Sequence, residues 1–142
     1  MNSYTLPTKG SEVSSKWHEI NAEGMVLGRL ASVVAQLLIG KAKPNFTRNL
    51  LMGDYVVIIN SSKIVVTGDK SEQKLYDNYS GYPGGLKQEK YKDLNKRKPG
   101  EVIRIAVSGM LPKNKLRKEM LRKLFIFSDA EHKYKDKIEV IN

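Results

Sequence analysis

Apolar and polar positions alternate along this chain in two different rhythms, and the switches between them predict its elements. Trp17 and Ile20, flanking His18 and Glu19, read as a short strand closed by a turn at Glu23-Gly24. From about Arg29 to Ile39 the apolar positions Leu30, Val33, Val34, Leu37 and Leu38 fall three and four apart, which predicts an amphipathic helix, and Gly40 supplies its stop. Residues 41–53 form a loop containing Pro44. Tyr55 to Ile59 is a continuous β-rich run, the mark of a strand buried on both faces. Ile64 to Thr67 and Leu75 to Tyr79 are further short β-rich pieces, and Gly81, Pro83, Gly84 and Gly85 form an irregular loop. Residues 86–98 are polar, basic and read as helical in part. Pro99 suits the first turn of a helix carrying Ile103, Ala106, Val107 and Met110, ended by Gly109 and Pro112. A basic helix is predicted over about Lys113 to Lys123, with Leu116, Met120 and Leu121 as its apolar positions, and Leu124 to Phe127 is the last strand.

Strands alternating with helices predict an α/β domain with a largely parallel sheet, and a strand buried on both faces requires three layers. Residues 1–15 read as a flexible polar tail and 16–142 as one domain, hydrophilic from about residue 128. With 40% apolar and 28% charged residues in 142, the chain has enough apolar material for a core and is not a disordered polyelectrolyte.

Charge changes the picture most. Lysines and arginines number 25 against 15 acids, a net charge of +10, which favours polyanionic partners. The cations fall in three groups. Residues 24–53 carry Arg29, Lys41, Lys43 and Arg48 with no acid. Residues 87–98 carry Lys87, Lys90, Lys92, Lys96, Arg97 and Lys98 against Glu89 and Asp93, and residues 113–123 carry Lys113, Lys115, Arg117, Lys118, Arg122 and Lys123 against Glu119. Solubility surfaces normally intersperse both signs, so this clustering points to a phosphate backbone, with nucleic acid the commonest such partner. Tyr76, Tyr79 and Tyr82 flank the glycine loop, where either base stacking or sheet packing accounts for them. Trp17 reads as a core anchor.

Other chemistry finds little support. The chain has no cysteine, which excludes disulfides, thiolate nucleophiles and thiolate metal sites. Neither His18 nor His132 has an obvious sequence partner for acid–base work, and Asp54 and Asp69 both adjoin glycine, where turn roles explain them. No metal, cofactor or small-molecule substrate is expected. Gly24 and Gly28 precede a helix, but neither phosphate-loop glycine pattern occurs. No apolar run approaches a membrane span of about 20 residues, and the first fifteen residues lack the apolar centre of a signal peptide, so a cytoplasmic protein is expected.

Several blocks in fixed order carry a family resemblance: Gly28-Arg29-Leu30-Ala31; Gly53-Asp54-Tyr55-Val56-Val57 with Asn60; Lys63, Val66-Thr67-Gly68 and Lys70; Gly84-Gly85; and Ala106-Val107-Ser108-Gly109-Met110-Leu111-Pro112-Lys113, followed by Leu116 and Arg122-Lys123-Leu124. From about Trp17 to His132 the chain resembles bacterial large-subunit ribosomal protein thirteen, the L-thirteen family. The resemblance implies an α/β/α domain around a four-stranded sheet, binding to large-subunit rRNA early in assembly, a structural and non-enzymatic role, and neighbouring ribosomal proteins as contacts. No membrane partner and no homo-oligomer are expected. This chain departs from the family pattern at Ala42, at Asn49 to Met52, at Arg117, where glycine is usual, and at Lys133-Tyr134, where Pro-His is usual.

The candidate RNA-binding residues are Arg29, Lys41, Lys43, Arg48, Lys63, Lys70, Lys113, Lys115, Arg117, Lys118, Arg122 and Lys123. Lys113 and Lys115 fall at the expected start of the basic helix, where backbone N–H groups also hold phosphate. Alternative classes are a nucleic-acid-cleaving enzyme, a membrane-surface protein using the basic helix, and an RNA-binding regulator or chaperone acting outside the ribosome.

Overall fold

The structure, a computed structural model, describes residues 6–138. In chain order its elements are β1 (Trp17–Asn21), α1 (Leu27–Ile39), β2 (Tyr55–Ile59), α2 (Lys70–Gln73), β3 (Leu75–Tyr79), β4 (Leu86–Lys90), α3 (Tyr91–Arg97), α4 (Pro99–Met110), α5 (Leu116–Arg122) and β5 (Leu124–Ile126). The helix predicted before Gly40 forms, and Gly40 ends it in the left-handed conformation (φ +77°), its N–H donating to the Gln36 carbonyl. Pro99 opens α4 as expected.

The main sheet has the order β1-β2-β5 and is parallel throughout. Its register aligns Trp17 with Tyr55, His18 with Val56 and Leu124, Glu19 with Val57 and Phe125, and Ile20 with Ile58 and Ile126. Side chains alternate along each strand, so this register sorts them onto two faces. Val56, Ile58 and Leu124 join one buried cluster with Leu30, Val34 and Leu38 of α1, Leu94 of α3, Val102, Ile103 and Val107 of α4, and Met120 of α5. The helices therefore cover that face.

The opposite face carries Trp17, Tyr55, Val57 and Phe125. Trp17 stacks on Tyr55 with ring centroids 4.5 Å apart. Tyr134 lies 5.1 Å from Trp17 and 4.5 Å from Phe125, and Phe127 packs against His132 and Tyr134. His132 meets Glu19 at 2.8 Å. The second cover demanded by a doubly buried β2 is thus an aromatic cluster with the segment that follows β5; among the described residues no α-helix joins it, only a single 3-10 turn at Lys135–Lys137 whose Lys137 amine lies 5.3 Å from the Trp17 ring centre. The segment expected to be a hydrophilic tail supplies this cover as far as the described residues run.

Two expectations are corrected and a third is divided. Among the described residues the sheet has three strands, not four: Val65 makes a single parallel bridge with Val26 and is 44% exposed. The 64–67 piece is pinched between a short turn of helix at Ser61–Lys63 and Gly68 in the left-handed conformation (φ +66°), which leaves no room for a ladder. The segment 86–98, expected to be helical in part, is helical over Tyr91–Arg97 as α3, while Leu86–Lys90 before it is strand. That strand pairs antiparallel with β3, Tyr79 opposite Leu86 and Leu75 opposite Lys90, and the glycine loop is the hairpin turn. A link this short permits only antiparallel pairing, because a parallel return needs a crossover of about a dozen residues or more. Finally, the basic helix is confined to Leu116–Arg122, and Lys113 and Lys115 lie on the turn before it. The Asn114 side chain accepts the Leu116 N–H at 3.1 Å and so takes one of the free donors at its start.

Of the N-terminal tail, residues 1–5 lie outside the described residues. Further along, the Thr8 hydroxyl donates to the Asn45 carbonyl at 3.0 Å and the Ser15 hydroxyl to the Gly53 carbonyl at 3.0 Å. Residues 139–142 also lie outside.

Candidate nucleic-acid interface

The loop from residue 41 to 54 is anchored before it can present charge. Glycine is required at both ends of the contact between α1 and this loop. A methyl group on Gly40 would sit 2.6 Å from the Met52 carbonyl oxygen, and one on Gly53 would overlap the Leu38 carbonyl. That close approach lets the Asp54 N–H donate to the Leu37 carbonyl at 3.0 Å. The Asp54 carboxylate, 7% exposed, then accepts from the Lys16 N–H at 3.0 Å, meets His18 Nε2 at 2.9 Å and pairs with Lys43 Nζ at 2.7 Å. Burial alone would raise the Asp54 carboxyl. The hydrogen bonds from Lys43, Lys16 and His18, with the charge of Lys43, outweigh it and hold the group below the ordinary carboxylate value.

Two of the twelve predicted phosphate-binding cations are consumed by this network. Lys43 Nζ also donates to the Ser14 and Met52 carbonyls, both at 2.6 Å. Lys123 is 9% exposed, donates to the Gly53 carbonyl at 2.7 Å and to Ser15 Oγ at 3.0 Å, and lies 4.9 Å from the centre of the Tyr55 ring. Burial, with the nearby Lys43 charge, pushes the Lys123 amine down, partly offset by Asp54. Both amines hold the loop to the sheet.

The remaining cations face outward to different degrees. Lys41 and Arg48 are exposed and line a groove of about 440 Å³ together with Phe46, Leu50, Leu111, Pro112 and Asn114. The groove therefore sets the first acid-free basic segment beside the start of the third. Lys113, Lys115 and Lys118 are exposed and Arg117 is half-buried. Arg122 pairs with Glu119 at 2.7 Å and Lys63 with Glu23 at 2.9 Å, so these two are partly neutralised. Lys70 and Gly28, the neighbour of Arg29, line a second cavity of about 620 Å³. Met110 lines both cavities, so the Arg29–Lys70 side adjoins the Lys41–Arg48 side.

The middle basic group behaves differently. Arg97 forks onto Glu89 at 2.6 and 3.2 Å, and Lys92 meets Glu72 at 3.1 Å. Tyr79 and Tyr82 on the hairpin are exposed, whereas Tyr76 is half-buried against the core. Sequence reasoning missed the groove floor and Asn114; the one available signal was an amide between two lysines. It also missed the carboxylate partners of both histidines, which are distant in sequence. Among the described residues no group of three or more His, Asp or Glu is placed to share a metal ion, and no helix is long and apolar enough to cross a membrane.

The sequence matches the family model for ribosomal protein L13 over residues 15–133. The chain belongs to the ribosomal protein L13 family. It is 53% identical over 134 residues to the large ribosomal subunit protein uL13 of Caldanaerobacter subterraneus subsp. tengcongensis, covering 94% of this chain and 92% of that one. It is 49% identical to the protein of the same name from Dehalococcoides mccartyi strain BAV1, covering 100% of this chain and 98% of the other. The uL13 of Clostridioides difficile is 51% identical over 132 residues, 93% of this chain and 91% of its own. The L13 match spans all twelve predicted cations and stops one residue short of Tyr134, so that part of the aromatic cover lies beyond it.

Proposed function

We propose that this chain is a structural constituent of the large ribosomal subunit that binds large-subunit rRNA, contacts neighbouring ribosomal proteins and supports early subunit assembly. Family membership supports the particle. The observation that carries the RNA reading is the convergence, across one groove, of Lys41 and Arg48 with the segment that leads through Lys113 and Lys115 into α5. Neither segment contains an acid up to Lys118. Cations held on a folded frame neutralise phosphates and release counterions, which makes binding steeply salt-dependent. Contact with about 6–10 phosphates would lower affinity by roughly 10³ to 10⁵ between about 50 and 200 mM salt. Specificity would come from the shape of the RNA, whose deep major groove excludes side chains.

No enzymatic step is proposed. The side chains best suited to acid–base work, His18, Asp54 and His132, are engaged with partners inside the fold. The contact set is Arg29, Lys41, Arg48, Lys70, Lys113, Lys115, Arg117 and Lys118, with Lys63 and Arg122 free to exchange their exposed carboxylate partners for phosphate. Lys43 and Lys123 act by holding the frame.

The test is co-sedimentation with large subunits and binding to a large-subunit rRNA transcript. Wild-type protein should pellet with the particle at moderate salt, and Lys113→Ala/Lys115→Ala should bind the transcript more weakly with a shallower salt dependence. Identical affinity and slope for the variant would remove these residues from the interface.

A further inference from the structure

The geometry points to a single unpaired rRNA nucleotide as the occupant of the groove between the 41–50 loop and residues 110–114, its base on the apolar floor and its phosphates on Lys41 and Arg48. This rests on the rRNA reading above and names the substructure that the groove would take. Phe46 and Leu50 are half-buried in the floor, and Met110 is 45% exposed on it. A concave, mostly apolar floor with a few polar groups at its rim is the form that ligand sites take. At about 440 Å³ the groove is of small-ligand size, too confined for a duplex.

The rim chooses the class of occupant. None of the lining residues is acidic, and the acid next to the floor in sequence, Glu119, is held by Arg122 at 2.7 Å. An apolar side chain from another protein would satisfy the floor but leave Lys41 and Arg48 without a counter-charge. A nucleotide uses both, placing a π-face on Phe46 and Met110 while its phosphodiester meets the cations. Asn114 accepts the Leu116 N–H through Oδ1, which keeps its NH₂ group available as a donor to a base edge. A paired base offers neither a free face nor a free edge, so the nucleotide must come from a loop, a bulge or a strand end.

The test uses the full chain and a large-subunit rRNA transcript. Ultraviolet cross-linking of the wild-type complex should join a nucleotide to Phe46 or Met110. Phe46→Ala and the groove-filling Leu50→Trp should each weaken binding by about tenfold, the worth of one stacked base, with the slope against salt unchanged. Lys41→Ala/Arg48→Ala should instead flatten that slope by about 1 to 2. Full affinity in both groove variants, or cross-links confined to residues 115–118, would overturn this proposal alone. Full RNA affinity with loss of incorporation into particles would identify a protein occupant and overturn it too. Failure of the wild-type chain to bind the transcript would overturn the rRNA reading itself and this proposal with it.

Discussion

Lys43 reaches 2.7 Å across the base of its own loop to Asp54, and the two side chains fasten the first basic segment to the start of the central strand. Asp54→Ala would strand the Lys43 ammonium in a largely buried site beside two carbonyls. Breaking such a pair from one side costs about 3 kcal/mol. Chemical denaturation should show that loss, and adding Lys43→Met should recover part of it. A single variant as stable as wild type would show that the pair does not hold the loop.

The same carboxylate sets an acid limit on stability. Its value in the folded chain lies below the ordinary 3.8. As pH falls, the unfolded chain therefore takes up this proton first. The stabilisation is fully present above the unfolded value and is lost as pH drops through the folded one. Urea midpoints measured from pH 6 down to pH 3 should fall more steeply for wild type than for Asp54→Asn, the two curves converging at the acid end. Parallel curves would contradict the assignment.

Lys123 and Lys113 look alike in sequence, yet the structure gives them opposite work. Lys123→Ala removes donors from the Gly53 carbonyl and Ser15 and should cost about 2 kcal/mol in unfolding free energy, while the salt slope of RNA binding stays put. Lys113→Ala should leave the thermal midpoint in place and reduce the slope. Slope measurements on the two purified variants separate the roles directly.

Tyr134 completes the aromatic face of the sheet by packing on Trp17 and Phe125. Tyr134→Ala should lower stability by about 2 kcal/mol and reduce the near-ultraviolet circular dichroism of Trp17. An unchanged spectrum would show that the segment after β5 does not cover the sheet.

The elements with strong periodicity were legible from residue order: α1 with its Gly40 stop, the buried run at Tyr55–Ile59, and α4 opening at Pro99. What residue order concealed was pairing. Nothing local distinguishes the Ile64–Thr67 piece, which achieves one bridge, from Leu124–Ile126, which becomes an edge strand, because the difference lies in which neighbour is free to accept it. The hairpin was hidden because Leu86–Lys90 alternates weakly and is rich in lysine. At the candidate site, the clustering of cations was visible, but their division into frame and surface was not. Lys43 and Lys123 have the same local composition as their exposed neighbours, and only their distances to Asp54 and Gly53 reveal the difference. His18 and His132 looked solitary for the same reason, each finding its carboxylate across a gap that strand pairing closes.

The order β1-β2-β5 joins residues near 20, near 57 and near 125, and the cover over Trp17 arrives later still. A chain cut after α4 would hold β1 and β2 of this sheet, the β3–β4 hairpin and four of the five α-helices, but neither the sheet's third strand nor the aromatic lid. The amine that steadies the 41–54 loop comes from Lys123, 70 residues beyond Gly53, so the gripping surface is set only when the edge strand docks and not as its own segment folds.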